Sequence, residues 1–148
     1  MANKILWDAA IVSRGEVVDF DDLANNARTN AGAEIDNSVN LDQYGYLKIT
    51  ADFISAPDDV YPTLDIYMVK ALDGTNYEDG SSSVTPSSQS FIASVPVLKV
   101  ATAQIPGVVG PFLLPPCKIK FIVENQTGQV PAATGNSLAL FTCNDEVQ

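Results

Sequence analysis

Runs of strict period-two alternation, each cut short by Gly, Pro, Asn or Asp, constrain the fold of this chain more than any other feature. Along residues 46–54, Leu47, Ile49, Ala51 and Phe53 alternate with Lys48, Thr50 and Asp52. Successive side chains of a strand point to opposite faces, so this segment buries one face and wets the other. Leu64, Ile66 and Met68 alternate likewise with Asp65, Tyr67 and Val69, and Ile119, Phe121 and Val123 with Lys118, Lys120 and Ile122. Residues 137–143 form another run, and residues 91–100 supply one or two more. Near the start, residues 4–13 and 16–20 flank Arg14-Gly15 and read as a hairpin. Residues 33–39 give a further short strand.

Helical periodicity is nearly absent. Residues 20–28 read either as one short helical turn, capped by Asp21 or Asp22, or equally as a loop. About eight strands divided by turn residues predict an all-β chain: a single-domain, antiparallel β-sandwich over residues 1–148, jelly-roll-like, with 1–12 left open as an N-terminal arm. The Cys-Trp-Cys spacing of immunoglobulin domains is missing. At 148 residues and 46% hydrophobic content the chain can bury a continuous core without staples.

Charge and residue usage narrow the function classes. Eighteen acids against eight bases give a net charge of −10, and the bases are scattered, which argues against nucleic acid as a partner. No segment has the length of a membrane span and the first residues lack the apolar core of a signal peptide, so the sequence predicts no membrane partner and synthesis in the cytoplasm. Histidine is absent. Ser-His-Asp and Cys-His nucleophiles need an imidazole, and most zinc sites use one, so neither an enzyme nor a metal or other cofactor is expected. Cys117 and Cys143 have no CxxC partner and read as two reduced, semi-buried thiols, although a disulfide between them stays open.

Four segments offer docking or binding chemistry. Asp73, Asn76, Glu78 and Asp79 surround an Asp-Gly turn, where oxygen ligands for calcium compete with plain turn formation, the preferred reading. The Ser-rich residues 80–90 read as a solvated surface connector. Residues 105–116 are apolar yet crowded with Pro and Gly, so they cannot form a regular central strand. They pack along the sandwich edge or against another chain, which makes Ile105, Val108, Val109, Phe112, Leu113 and Leu114 interface candidates. Ile5, Leu6 and Trp7 are the fourth, as a docking arm or, for the single Trp, a core anchor. Tyr44, Tyr46, Tyr61, Tyr67 and Tyr77 invite a sugar-stacking platform, but strand alternation accounts for Tyr46 and Tyr67, and Tyr61-Pro62 reads as a turn.

One stretch carries a family resemblance. The strand Leu64-Asp65-Ile66-Tyr67-Met68-Val69-Lys70-Ala71-Leu72 runs into Asp73-Gly74-Thr75-Asn76-Tyr77-Glu78-Asp79-Gly80 and then the Ser-rich loop. This resembles a recurring element of small β-rich virion proteins of tailed bacteriophages, of the capsid decoration (cement) type. The likeness covers residues 44–90 in pattern and the whole chain in size and strand content. It implies a jelly-roll or related sandwich, often a homotrimer, that sits on the capsid surface and stabilises the shell by bridging major capsid protein subunits. A phage tail or baseplate component and a carbohydrate-binding β-sandwich module are the alternatives.

Overall fold

The alternating runs become strands that pair from the outside in. The structure, a computed structural model, describes residues 5–7 and 11–147, with the side chains of 11–145. Its strands are β1 (Ile5–Trp7), β2 (Val12–Asp19), β3 (Ile35–Asp36), β4 (Tyr44–Ala51), β5 (Thr63–Ala71), β6 (Phe91–Pro96), β7 (Gln104–Leu113), β8 (Lys118–Gln126), β9 (Ser137–Cys143) and β10 (Asp145–Val147). A short helix, α1 (Asn37–Asn40), and a 3-10 turn, Ser88–Ser90, complete the elements. β1 pairs with β10, β2 with β9, β3 with β8, β4 with β7 and β5 with β6, all antiparallel. The chain is thus one long antiparallel ribbon, folded back at the β5–β6 connection. The ribbon is then rolled so that β4 also meets β9 and β5 also meets β8.

Rolling yields two four-stranded sheets, ordered β2-β9-β4-β7 and β3-β8-β5-β6. That order is the jelly roll, and the fold is an all-β sandwich as the sequence predicts. Leu47, Ile49, Leu138 and Leu140 of one sheet face Leu64, Ile66, Ile119 and Phe121 of the other, all essentially without solvent exposure. At roughly 25 cal/mol per Å² of apolar area, each such side chain contributes about 2 kcal/mol by leaving water.

Several expectations are corrected. Arg14-Gly15 does not turn a hairpin. Val12–Asp19 runs as one strand against β9, and Gly15, at φ +84°, takes up a register shift beside Ser13. Glycine tolerates the positive φ of a bulge as readily as that of a turn, and only the distant partner strand decides between them. Residues 20–28 take the loop reading, forming turns without a helix, with Asp22 and Asn26 at positive φ. Of residues 33–39 only Ile35–Asp36 is strand, and Asp36 instead caps α1 by accepting from the Ser38 N–H. Residues 91–100 hold one strand, β6, followed by a turn in which Gln104 bonds both backbone groups of Leu98.

Residues 105–116 contain ten-residue β7 rather than irregular backbone, and β7 lies at the sheet edge, where proline is tolerated. β7 spends three residues against two of β4 at each of two register shifts, one containing Pro106 and the other Gly110 and Pro111. Bulges thus absorb both prolines. Gly110 has φ +137°, and a Cβ there would stand 2.6 Å from the Gly45 carbonyl oxygen. Gly110→Ala is expected to lower stability by about 2–3 kcal/mol, read from the urea unfolding midpoint.

The loops are pinned by three buried asparagines. Asn37 donates to the carbonyls of Asp42 and Pro115 and accepts from the Asp42 N–H. Asn125 donates to the carbonyls of Leu23 and Gln129 and accepts from Thr127 twice. Asn136 accepts from the Asp52 N–H and donates to Asp21 Oδ1 and the Ala132 carbonyl. Residues that read as turn formers along the chain are therefore the fixings that hold separate loops together.

Candidate functional site

The sandwich is closed on one side and open on the other. On the closed side, residues 26–32 lie along β8: Asn26, Thr29 and Gly32 donate backbone N–H groups to the carbonyls of Asn125, Val123 and Phe121. Ala33 then bonds the Val17 carbonyl, tying that segment to β2. An edge with unpaired backbone groups invites another strand, and here the chain covers its own.

The outer face of the β3-β8-β5-β6 sheet is covered too. Ile122 and Val69 point away from the core yet are buried, because residues 72–90 fold over them. Gly80 approaches so closely that an added Cβ would touch both at 3.0 Å. Arg28 pairs with Glu124 at 3.0 Å and donates to the Ser81 carbonyl, Tyr77 donates to Glu34, and Glu78 accepts from Lys70 N and Ser90 Oγ. The Ser-rich segment is therefore a largely exposed surface connector, as expected, that is also fastened over the sheet. Burial and the Glu124 hydrogen bond push the Tyr67 hydroxyl up to about 12.

The Asp-Gly turn behaves as a turn former. Asp73 accepts from the Thr75 and Asn76 N–H groups and from Asn76 Nδ2, and these bonds hold its carboxyl down to about 2, against an ordinary 3.8. Because the folded value is depressed, the contribution to the turn is present above the ordinary range and is lost as pH falls through about 2. The Asn76 amide resonance should titrate with a midpoint near that value, and a midpoint near 3.8 would contradict the turn geometry. Among the described residues no three His, Cys, Asp or Glu side chains converge as a metal site. Cys117 and Cys143 are buried and not joined by a disulfide, and burial pushes the Cys117 thiol up.

On the open side, β6 and β7 are the edges of their sheets, and among the described residues β7 pairs only with β4. Here the structure divides the six interface candidates of residues 105–116. Ile105, Val108 and Leu113 are exposed, at 59%, 61% and 73%. Val109 and Phe112 are half-buried against the core, Phe112 edge-on to Phe121 at 6.4 Å, and Leu114 is buried. Leu114 thus belongs to the core and Val109 and Phe112 pack against it, so these three offer a partner less surface than Ile105, Val108 and Leu113. Ile5, Leu6 and Trp7 are in β1, whose backbone pairs with Asp145–Val147, while their side chains lie outside the described residues.

The described residues also leave the outer face of the β2-β9-β4-β7 sheet uncovered, a feature the alternation of single strands did not reveal. Ile11, Tyr46, Lys48, Val108 and Phe141 line a shallow, mainly apolar concavity of about 380 Å³ there. Tyr44 stands two residues along β4 from Tyr46 and donates its hydroxyl to Asp145. The signal was present in the alternation of β4 and β9, where Tyr44, Tyr46, Ala139 and Phe141 occupy the outward positions. It could be read only once both strands were known to be neighbours. Tyr61, Tyr67 and Tyr77 lie elsewhere: Tyr61 is exposed in a loop, and Tyr67 and Tyr77 are tied to the covered sheet. The five tyrosines therefore do not form one platform. No protein-family model, no curated protein and no solved structure matches this chain.

Proposed function

We propose that this chain is a structural virion protein, a capsid decoration (cement) protein that docks on the outside of a phage head and stabilises the shell by bridging major capsid protein subunits. The observation that carries this reading is the asymmetry of coverage. The chain folds its own loops over one side and one face of the sandwich, and leaves β7 bare with Ile105, Val108 and Leu113 exposed. Apolar side chains on an uncovered edge strand favour a protein partner, and a bulged, proline-bearing strand resists promiscuous strand addition. Jelly rolls recur in viral capsid domains, which supports the reading by analogy alone. The net charge of −10 disfavours nucleic acid as the ligand.

Bridging needs more than one docking edge per particle of cement protein, and repeated weak contacts then add through effective concentration. The resemblance brings a homotrimer as one such arrangement. Tyr46 and Phe141 on one sheet face also keep a carbohydrate-binding module in view, since aromatic faces stack on sugars. Gold-labelled antibody against the chain, applied to intact phage, separates these readings. Label over the head surface is the expected result, and label confined to the tail would overturn the cement reading.

A further inference from the structure

We propose that the uncovered face of the β2-β9-β4-β7 sheet binds a second copy of this chain about a two-fold axis running along β9. The register fixes one row across this face: Glu16 beside Ala139, Ala139 beside Lys48, and Lys48 beside Val108. Glu16 and Lys48 therefore flank Ala139 symmetrically, each one strand spacing (about 4.8 Å) away. Among the described residues neither forms an ion pair, whereas Arg14, Arg28, Lys70 and Lys118 pair with Asp42, Glu124, Glu78 and Glu34. Lys120 sits over the Tyr77 ring. Lys48, like Lys99, is thus a described base that the fold leaves without an ion pair, and of the two only Lys48 lies in this row.

A two-fold interface is self-complementary: residue i of one copy meets residue j of the other, and j meets i. With the axis over Ala139, Lys48 of each copy falls opposite Glu16 of its mate, and the small Ala139 side chain lets the sheets approach to their usual spacing of about 10 Å. The next row places Ser13, Phe141 and Tyr46 side by side, so Phe141 meets its own counterpart near the axis. One acid and one base make the central row neutral on a chain of net charge −10, where two acidic copies can meet. Asp19 is a further charge at the end of the face, beside Ser137. β7 lies two strands from the axis while β2, on the other side, lies one. The pair therefore leaves both β7 edges overhanging and free. A pair with two free β7 edges is able to bridge, which links this inference to the docking reading without resting on it.

Sedimentation velocity of the purified full chain over a concentration series, with no shells present, tests the pairing. Wild type is expected to be dimeric. E16K and K48E should each weaken the dimer about 10–100-fold, because each creates two like-charge contacts in a symmetric pair. The double variant E16K/K48E restores opposite charges across the axis and should regain dimerisation to within a few-fold of wild type. A wild-type monomer or trimer would overturn the proposal, as would a folded double variant, checked by circular dichroism, that stays monomeric.

Discussion

Replacing Asn125 by alanine is expected to remove about 3–5 kcal/mol of stability, a large part of the 5–15 kcal/mol that holds a typical domain together. The side chain is fully buried and makes four hydrogen bonds, to Leu23 O and Gln129 O at 2.8 Å each and from Thr127 N and Oγ1 at 3.0 and 2.7 Å. Each bond is worth about 1 kcal/mol net, and buried partners left unsatisfied add the cost of their lost solvation. The same residue ties β8 to residues 20–34 through Asn125 N to Ala27 O and Asn26 N to Asn125 O. Those backbone bonds survive the substitution, so the loss falls on the side-chain ties to Leu23, Thr127 and Gln129 that fix the loops beside them. Asn125→Asp keeps the acceptor facing Thr127 but loses both donors, so it should also destabilise. Urea unfolding of the two variants checks this, and a loss below about 1 kcal/mol for Asn125→Ala would contradict the hub role.

The second large effect concerns binding rather than folding. Ile105→Asp combined with Leu113→Asp should leave the unfolding midpoint nearly unchanged, because exposed substitutions usually shift stability by no more than about 0.5 kcal/mol. Shell affinity should fall about 30-fold or more, the usual scale when interface anchors are lost and a charge is driven into an apolar contact. Phe112→Ala and Leu114→Ala make the control. Their side chains pack inward, so they should cost about 2–4 kcal/mol of stability. Measuring stability and shell binding on these three variants separates the two roles. A double aspartate variant that binds shells as wild type does would remove the β7 edge from the docking surface.

The strands that show two-faced alternation were legible from the sequence. β4, β5, β8 and β9 each carry a dry face and a wet or covered one, and period two expresses that directly. What stayed hidden depended on partners far along the chain. Gly15 looks the same in a hairpin turn as in a bulge, and only pairing with β9 distinguishes them. Ile122 and Val69 read as outward positions, and they are, but a loop from elsewhere buries them. Prolines spoke correctly against a central strand in residues 105–116, yet did not reveal that two bulges accommodate them at an edge. The proposed docking edge was half legible. Apolar character picked out the segment, but which of its side chains face outward required the bulged register, because each bulge resets the alternation.

Saturation co-sedimentation of the purified chain with expanded heads assembled without it tests the docking role most directly. The expected result is saturable binding at a fixed, symmetry-related number of copies per head, lost in the Ile105→Asp/Leu113→Asp variant. A well-folded chain that fails to sediment with such heads at any concentration would contradict the cement role.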